Sequence, residues 1–506
     1  MSRHVLLAIL LFATSGSFAQ QPGDLDSTFS ADGIVTTNFS GSSDDFGLSV
    51  AVQPDGRLVI AGSSNNGTAA EIALVRLLAD GSPDNSFGTG GKVTTAIGTL
   101  DDHATAVAVQ SDGKIVVAGS TLINGSGMAF ALLRYNADGT LDNSFSGDGV
   151  QVDDISAGYD EAYAVALQPD GKILVAGYTN NGSSDDFALL RYTTDGALDN
   201  SFSGDGIETT DFAGYNDAVV SMALQPDGKI ILAGYYGNGT DEDFALARYD
   251  PDGTPDATFG SGGLVNTVFT SGDDRAYGVA LQPDGKIVAA GMVSSPPYWI
   301  MGLARYNADG TLDNSFSGDG MTTTPNGTYS GARSVALMPD GRIVAAGSTD
   351  FNFMVALFNT DGTLDTGFNT DGIQTTSVGD SDYGNSVAVQ ADGKIVMAGA
   401  AHFTNTLNDF AVVRYHTGGG VGLQEWAQAD PALLLYPNPA HDQLTVQLAA
   451  PGAWLEVRSS DGRLLKAQRA NTTQMTLDIG DLAAGLYAVS IKEASGARSA
   501  LRFVKE

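Results

Sequence analysis

Carboxylate oxygen is the chemistry this sequence holds in abundance: 59 Asp and Glu stand against 25 Lys and Arg, a formal net charge of -34. Clustered oxygens are what a hard cation such as Ca²⁺ takes as ligands. Three stretches offer them: Ser184-Asp185-Asp186, Thr240-Asp241-Glu242-Asp243 and Gly272-Asp273-Asp274. None has the spacing of an EF-hand or a nonapeptide calcium repeat. Asp is also a turn residue in its own right, so solvated acidic turns are the plainer reading, and calcium is the one cofactor to test for. Histidine is scarce. Beyond His4 only His103, His402, His416 and His441 occur, and no two lie at metal-ligand spacing. Cys is absent, which excludes a thiol nucleophile or thiolate metal site. No Gly-x-Ser-x-Gly elbow leads from a strand into a helix, and paired carboxylates carry no weight for glycosidase chemistry in so acidic a chain. No catalytic residue is assigned.

Aromatic rings offer a second chemistry. Tyr235-Tyr236, Tyr298-Trp299, and Phe351 with Phe353 fall in variable stretches of the chain. Such faces stack on sugars or grip a protein partner, which makes Tyr235, Tyr236, Tyr298 and Trp299 candidate ligand contacts; local packing is the competing explanation.

The elements that carry these residues form a repeat. An Asp-Gly pair flanked by alternating apolar residues recurs at Asp55, Asp112, Asp170, Asp227, Asp284, Asp340 and Asp392, spaced by 57, 58, 57, 57, 56 and 52 residues. In the third copy Tyr163, Val165 and Leu167 alternate with Ala162, Ala164 and Ala166, the period of a strand. Neither set is strongly polar, so both faces are expected to be covered. Pro169, Asp170 and Gly171 fit a tight turn with Gly in the left-handed position. A third strand follows at 187–192, and a fourth extended piece runs through Thr209 and Thr210. Four strands per unit and seven units predict an all-β, seven-bladed β-propeller. The array opens with a fourth-strand motif (residues 25 to 38) and ends on a third strand at Tyr415. Pairing those two ends closes the ring through the N-terminal strand and leaves no open edge. The third-strand Arg (Arg76, Arg134, Arg191, Arg248, Arg305, Arg414) recurs in six units, and is expected to join blades by pairing with a turn Asp.

Residues 25 to 415 resemble the delta-60 repeat, a β-propeller repeat of bacterial surface and secreted proteins. The resemblance rests on pieces such as Gln168-Pro169-Asp170-Gly171-Lys172, Phe187-Ala188-Leu189-Leu190-Arg191-Tyr192 and Leu198-Asp199-Asn200-Ser201-Phe202. Departures are expected at Ser111 and Ala391 for Pro, Leu77 for Tyr, and Phe358-Asn359 for Arg-Tyr. The resemblance implies no catalytic residues.

Residues 1–19 read as a signal peptide, with a basic start, an apolar run and small residues before a cut between Ala19 and Gln20. No later stretch is long and apolar enough for a transmembrane segment. The propeller is expected over 20–417, and a Gly-rich linker over 418–433. Short alternating strands over 434–506 suggest a small C-terminal β-sandwich. That block resembles the type IX secretion C-terminal sorting domain of Bacteroidetes, through Tyr436-Pro437-Asn438-Pro439, Asp461-Gly462-Arg463, Gly485-Leu486-Tyr487 and Lys505. The resemblance implies passage through the periplasm, handling by the type IX machinery, and a surface-attached or released product.

Residues 434–506 hold 8 Lys and Arg against 7 Asp and Glu, whereas the remainder holds 17 against 52. The propeller carries the acidity, so nucleic acid and anionic membrane surfaces are poor partners. The expectation is a monomeric, secreted or cell-surface, non-enzymatic module for binding, adhesion or scaffolding, with an extracellular protein or glycan ligand. The alternative is a hydrolase or lyase in the central funnel, which a cluster of acid, base and Arg from different blades would favour.

Overall fold

The computed structural model describes residues 20–417, except 40, 42, 126, 157 and 325–328, together with stretches of strand and turn between 434 and 505. The signal segment with Ala19, and the 418–433 linker, lie outside the described residues.

Local turn chemistry builds the blades. The Gly171 N–H donates to the Gln168 carbonyl and the Gln168 N–H to the Lys172 carbonyl, each at 2.9 Å. Gly171 sits at φ +85°, and its six counterparts lie between +84° and +89°, a region that a side chain makes costly. Each turn joins two antiparallel strands, and two more complete the sheet. In blade 3 these are Asp160–Leu167, Ile173–Asn180, Asp185–Tyr192 and Ile207–Thr210, in that spatial order. Six such sheets occupy residues 45–95, 102–153, 160–210, 217–267, 274–324 and 330–376 (blades 1 to 6). Blade 7 combines Ser381–Val389, Ile395–Phe403 and Leu407–Tyr415 with Ile34–Thr37 from the start of the chain. The closing pairs run from Ile34 opposite Val413 to Thr37 opposite Phe410, as the phase of the repeat requires.

First strands of neighbouring blades pack on one another around the axis, so the first strand is innermost and the fourth outermost. Blade faces are apolar and buried: Val116, Ala118, Phe130 and Phe145 of blade 2 pack with Ile173, Val175 and Leu190 of blade 3. Burial of one such Phe is worth about 1.5–3 kcal/mol.

The strict alternation expected of the inner strand is broken once per blade. Ala162 pairs with Gly177 and Ala164 with Ala176, which leaves Tyr163 as a bulge. An extra residue bends the strand and re-aims a side chain. The same position is bulged in all seven blades, at Leu48, Thr105, Tyr163, Val220, Tyr277, Arg333 and Asn385.

The third-strand Tyr reaches back to the outer strand of the preceding blade. Tyr135 bonds Thr95 at 2.9 Å, Tyr306 bonds Thr267 at 2.8 Å and Tyr415 bonds Thr376 at 2.9 Å, which satisfies a buried hydroxyl. Blade 6 departs from this one residue earlier than expected. Leu357 and Phe358 face Val344 and Ile343, as Arg191 and Tyr192 face Leu174 and Ile173 in blade 3. It is therefore Leu357-Phe358, not Phe358-Asn359, that replaces Arg-Tyr. Phe358 has no hydroxyl, and Thr324 Oγ1 is left buried without a partner among the described residues.

Beyond the linker, Leu434–Tyr436, Gln443–Gln447 and Gln474–Asp478 form one sheet. Leu464–Arg469, Trp454–Ser459, Gly485–Lys492 and Arg498–Lys505 form another, in that order. Leu444, Val446, Leu455, Val457, Leu477 and Val489 share one apolar cluster. Among the described residues no helix is long and apolar enough to cross a membrane.

Candidate ligand-binding face

The ring has two faces. One is made of the Asp-Gly turns and the turns after the third strands; the other holds the loops between second and third strands and those between blades.

On the turn face the recurring charges are structural. Arg134 Nε donates to Asp142 at 2.7 Å and Lys114 Nζ to the same oxygen at 2.8 Å. Another Arg134 nitrogen reaches the Thr194 carbonyl of the next blade at 2.6 Å, and the guanidinium lies 4.6 Å from the Phe145 ring centroid. The expected pairing is thus corrected: the Asp belongs to the same blade, eight residues on, and the bond between blades goes to a backbone carbonyl. Burial acts to raise the Asp142 carboxyl, but bonds from Lys114, Ser144 and Arg134 outweigh it and hold it well below the usual range. Arg191, Arg248 and Arg305 repeat the arrangement with Asp199, Asp256 and Asp313, and Arg414 uses Asp26 across the closure at 2.7 Å. Where blade 6 has Leu357 instead, Arg342 takes Asp365 at 2.6 Å.

On the loop face six Asp residues at the start of inner strands are fully buried: Asp45, Asp102, Asp160, Asp217, Asp274 and Asp382. Each accepts a backbone N–H from the preceding connection, Asp217 from Phe212 at 2.8 Å and Asp274 from Phe269 at 2.9 Å. They cap loops. Of the three stretches considered for calcium, Asp186 converges with Asp211 and Asp217, their oxygens within 4.8 Å of one another. Each is already engaged: Asp186 by Asn181 at 2.7 Å, Asp211 by the Ala213 N–H at 3.0 Å and Asp217 by the Gly237 N–H at 3.1 Å. Burial first, then Asp211 and Asp186, push the Asp217 carboxyl up to about 7. In the second stretch Glu242 pairs with Arg275 and Asp243 accepts from Asn238 at 2.9 Å.

Nearer the axis the seven-fold repeat fails on one side. Tyr163 and Tyr178 of blade 3 stack with centroids 6.0 Å apart, and the Tyr163 hydroxyl donates to Glu161 at 2.7 Å. Arg275 of blade 5 lies 5.1 Å from the Tyr235 ring of blade 4 and 5.9 Å from Trp299. Arg333 of blade 6 lies 4.5 Å from the Tyr277 ring. All are half-buried except Arg333, which is exposed. The residues in the position of Tyr178 and Tyr235 are Ser63, Ser120, Ser348 and Ala400 in blades 1, 2, 6 and 7, so four adjacent blades carry no ring at this level. Burial first, then the Glu161 charge, raise the Tyr163 and Tyr178 phenols; burial and Glu242 push Tyr235 up to about 12. Raised phenols stay protonated at neutral pH, and those of Tyr163 and Tyr178 hydrogen-bond to Glu161.

A rim of exposed rings surrounds this arc. Tyr159, Tyr215, Tyr298, Tyr329, Phe351 and Tyr383 are exposed, and all belong to connections or strand ends of the loop face. Tyr298 and Tyr329 meet edge to face at 6.0 Å. Phe351 is 58% exposed and sits at φ +62°, a strained region for a bulky residue.

The sequence-based candidates fall into three groups. Tyr235 and Trp299 join the arc and Tyr298 the rim, although all three lie on strands, at their loop-face ends, instead of in loops. Tyr236 stacks on Phe212 at 5.6 Å and accepts from Asn266 at 2.9 Å, and Phe353 is fully buried; both pack. Sequence reading passed over Glu161, Arg275 and Arg333, which only a column-by-column comparison of the repeats sets apart. Of the terminal candidates, Gln20 Nε2 donates to the Leu25 carbonyl at 2.6 Å. Tyr436 pairs with Thr445, Gly485 with Lys505 and Tyr487 with Phe503. Pro437, Asn438 and Pro439 lie outside the described residues.

Comparison with known proteins agrees with this architecture. A domain of unknown function (DUF5122) β-propeller matches seven times, at residues 53–87, 110–145, 168–202, 225–259, 282–316, 339–368 and 390–420. A secretion system C-terminal sorting domain matches residues 434–506. No curated protein matches the chain. Among solved structures, PorZ, a surface component of the type IX secretion system of Porphyromonas gingivalis, is 12% identical over 89% of this chain and 68% of its own, with a TM-score of 0.29. A protein of unknown function from Dyadobacter fermentans is 12% identical over 76% and 98%, at 0.41. The polysaccharide lyase Uly1 is 12% identical over 73% and 90%, at 0.44. Similarity this low carries nothing about what this chain does. The repeats, the seven-bladed ring and the terminal block together place the chain among the DUF5122 β-propeller proteins, with a secretion system C-terminal sorting domain at its end.

Proposed function

We propose that this is an exported, non-enzymatic binding module whose loop face holds an extracellular glycan. One observation carries the reading. Every exposed large apolar side chain of the described propeller residues lies on the loop face; such a collection marks an interaction surface. The arc from Tyr163 to Arg333 adds half-buried rings nearer the axis, which suit the apolar faces of pyranoses. Binding of a protein instead is the outcome to watch for. The test is retention on immobilised polysaccharides: the protein should bind, and a Tyr298→Ser, Tyr329→Ser, Phe351→Ser variant should lose binding with its fold intact.

The sorting domain implies export by the type IX route, and the chain path supports how the module is displayed. The His416 N–H donates to the Asp24 carbonyl at 2.9 Å and the Gly23 N–H to the His416 carbonyl at 2.6 Å. Both ends of the ring therefore leave from the turn face, and a tether in the 418–433 linker would point the loop face outward. Intact mass of the cell-surface and medium fractions tests this: a species starting near Gln20 and ending in the linker is expected, and a full-length chain kept in the periplasm contradicts it.

An enzyme is the second reading, because the arc carries an acid and a phenol on blade 3 (Glu161, Tyr163) and guanidinium groups on blades 5 and 6 (Arg275, Arg333). Two features weigh against it. The phenols are raised, which disfavours a tyrosinate base, and Arg275 is already paired with Glu242. Turnover of an extracellular polysaccharide that Glu161→Gln abolishes would establish it.

A further inference from the structure

Resting on the glycan reading, we propose that the arc selects a saccharide bearing a single carboxylate, a uronic-acid residue in an otherwise neutral chain, and that Arg333 is the group that recognises it.

Between residues 20 and 417 there are sixteen Lys and Arg. Fifteen have an acidic or hydrogen-bonding partner among the described residues, mostly the Asp of the repeat. Arg333 has neither a hydrogen bond nor an ion pair among them. It is the bulge residue of its inner strand, where the other blades carry Leu48, Thr105, Tyr163, Val220, Tyr277 and Asn385. Its guanidinium lies over the Tyr277 ring, 4.5 Å from the centroid. Stacking holds the guanidinium plane and leaves its N–H donors unused, the state in which Arg takes a carboxylate bidentately.

Of the two carboxylates in the arc, Glu242 is paired with Arg275, while Glu161, on blade 3, keeps its charge and accepts the Tyr163 hydroxyl at 2.7 Å. Among the described residues one free cation therefore stands beside the rings of the arc, and it fits one anionic group. The net charge of -34 sets the upper limit: a long polyanion would meet repulsion across the ring, whereas one carboxylate seated on Arg333 meets it least.

The experiment uses the secreted protein on a printed array of oligosaccharides in three sets: neutral chains, the same chains with one uronic-acid residue, and polyuronates. Retention is expected to be strongest in the second set. In titration with the retained oligosaccharide, Arg333→Ala should weaken binding about tenfold to a hundredfold and leave the neutral counterpart unchanged. Arg333→Lys should recover part of the loss. Arg333 is exposed, and an unchanged thermal midpoint checks the fold. Equal or better retention of neutral or polyuronate chains, or an Arg333→Ala variant with wild-type discrimination, overturns this inference and leaves the glycan reading standing. No retention on any set overturns both.

Discussion

The two faces of the ring come from the same seven repeats and have been kept to different standards. On the turn face each Arg finds its Asp, its carbonyl in the next blade and its Phe, and where blade 6 loses the Arg, Arg342 supplies the pairing with Asp365. On the loop face the same repeats carry Ser in one blade and Tyr in the next, and rings stand in solvent. A repeat array is stabilised by contacts that recur at every interface; a ligand is recognised by contacts that do not. The turn face therefore reads as frame, and the loop face is where the proposed site lies.

The comparison can be broken most forcefully from the frame. Asp199→Ala leaves Arg191 and Lys172 without their shared carboxylate, and should cost about 3–5 kcal/mol, because buried charges lose their counterion; the thermal midpoint measures it. Gly171→Val forces a β-branched residue to φ +85° with its Cβ about 3.0 Å from Thr194 Cγ2, and should cost roughly 1–3 kcal/mol. A wild-type midpoint and circular dichroism spectrum would disprove that turn.

Smaller effects sharpen the contrast. The Asp217 carboxyl sits near 7 against an ordinary value of 3.8. Its folded value is raised, so the folded state holds the proton more tightly and stability falls as pH rises from about 4 through 7. Asp211→Asn removes one of the charges responsible and should raise the stability at pH 8 by about 1 kcal/mol, read from the thermal midpoint, with no gain at pH 4. A gain at both would assign the effect elsewhere. Phe358→Tyr restores the hydroxyl that Thr324 lacks and should add about 0.5–1.5 kcal/mol in denaturant titration.

Much of the frame was legible. Period-two alternation, seven Asp-Gly turns and the permuted phase of the array were enough for blade count and closure, since each is a local requirement repeated seven times. Three things were not. The bulge at Tyr163 keeps the alternating composition and changes only which residue faces which. Asp142 and Asp199 are eight residues from their Arg in sequence, and nothing in a sequence tells a partner in the same blade from one in the next. The arc was hidden because Glu161, Arg275 and Arg333 are ordinary residues at positions that become special only through the rings they meet on their own and neighbouring blades. Tyr235, Trp299 and Tyr298 were found because aromatic residues in variable stretches are conspicuous, whereas Tyr236, equally conspicuous, packs against Phe212.

The division between frame and site is tested most directly by measuring glycan retention and thermal midpoint together on two variants. The first is Tyr298→Ser, Tyr329→Ser, Phe351→Ser on the loop face; the second is Asp112→Asn, Asp170→Asn at exposed positions of the turn face. Loss of retention in the first at an unchanged midpoint, with full retention in the second, is the result predicted. Retention that survives the first and fails in the second would place the binding surface on the turn face and contradict the account.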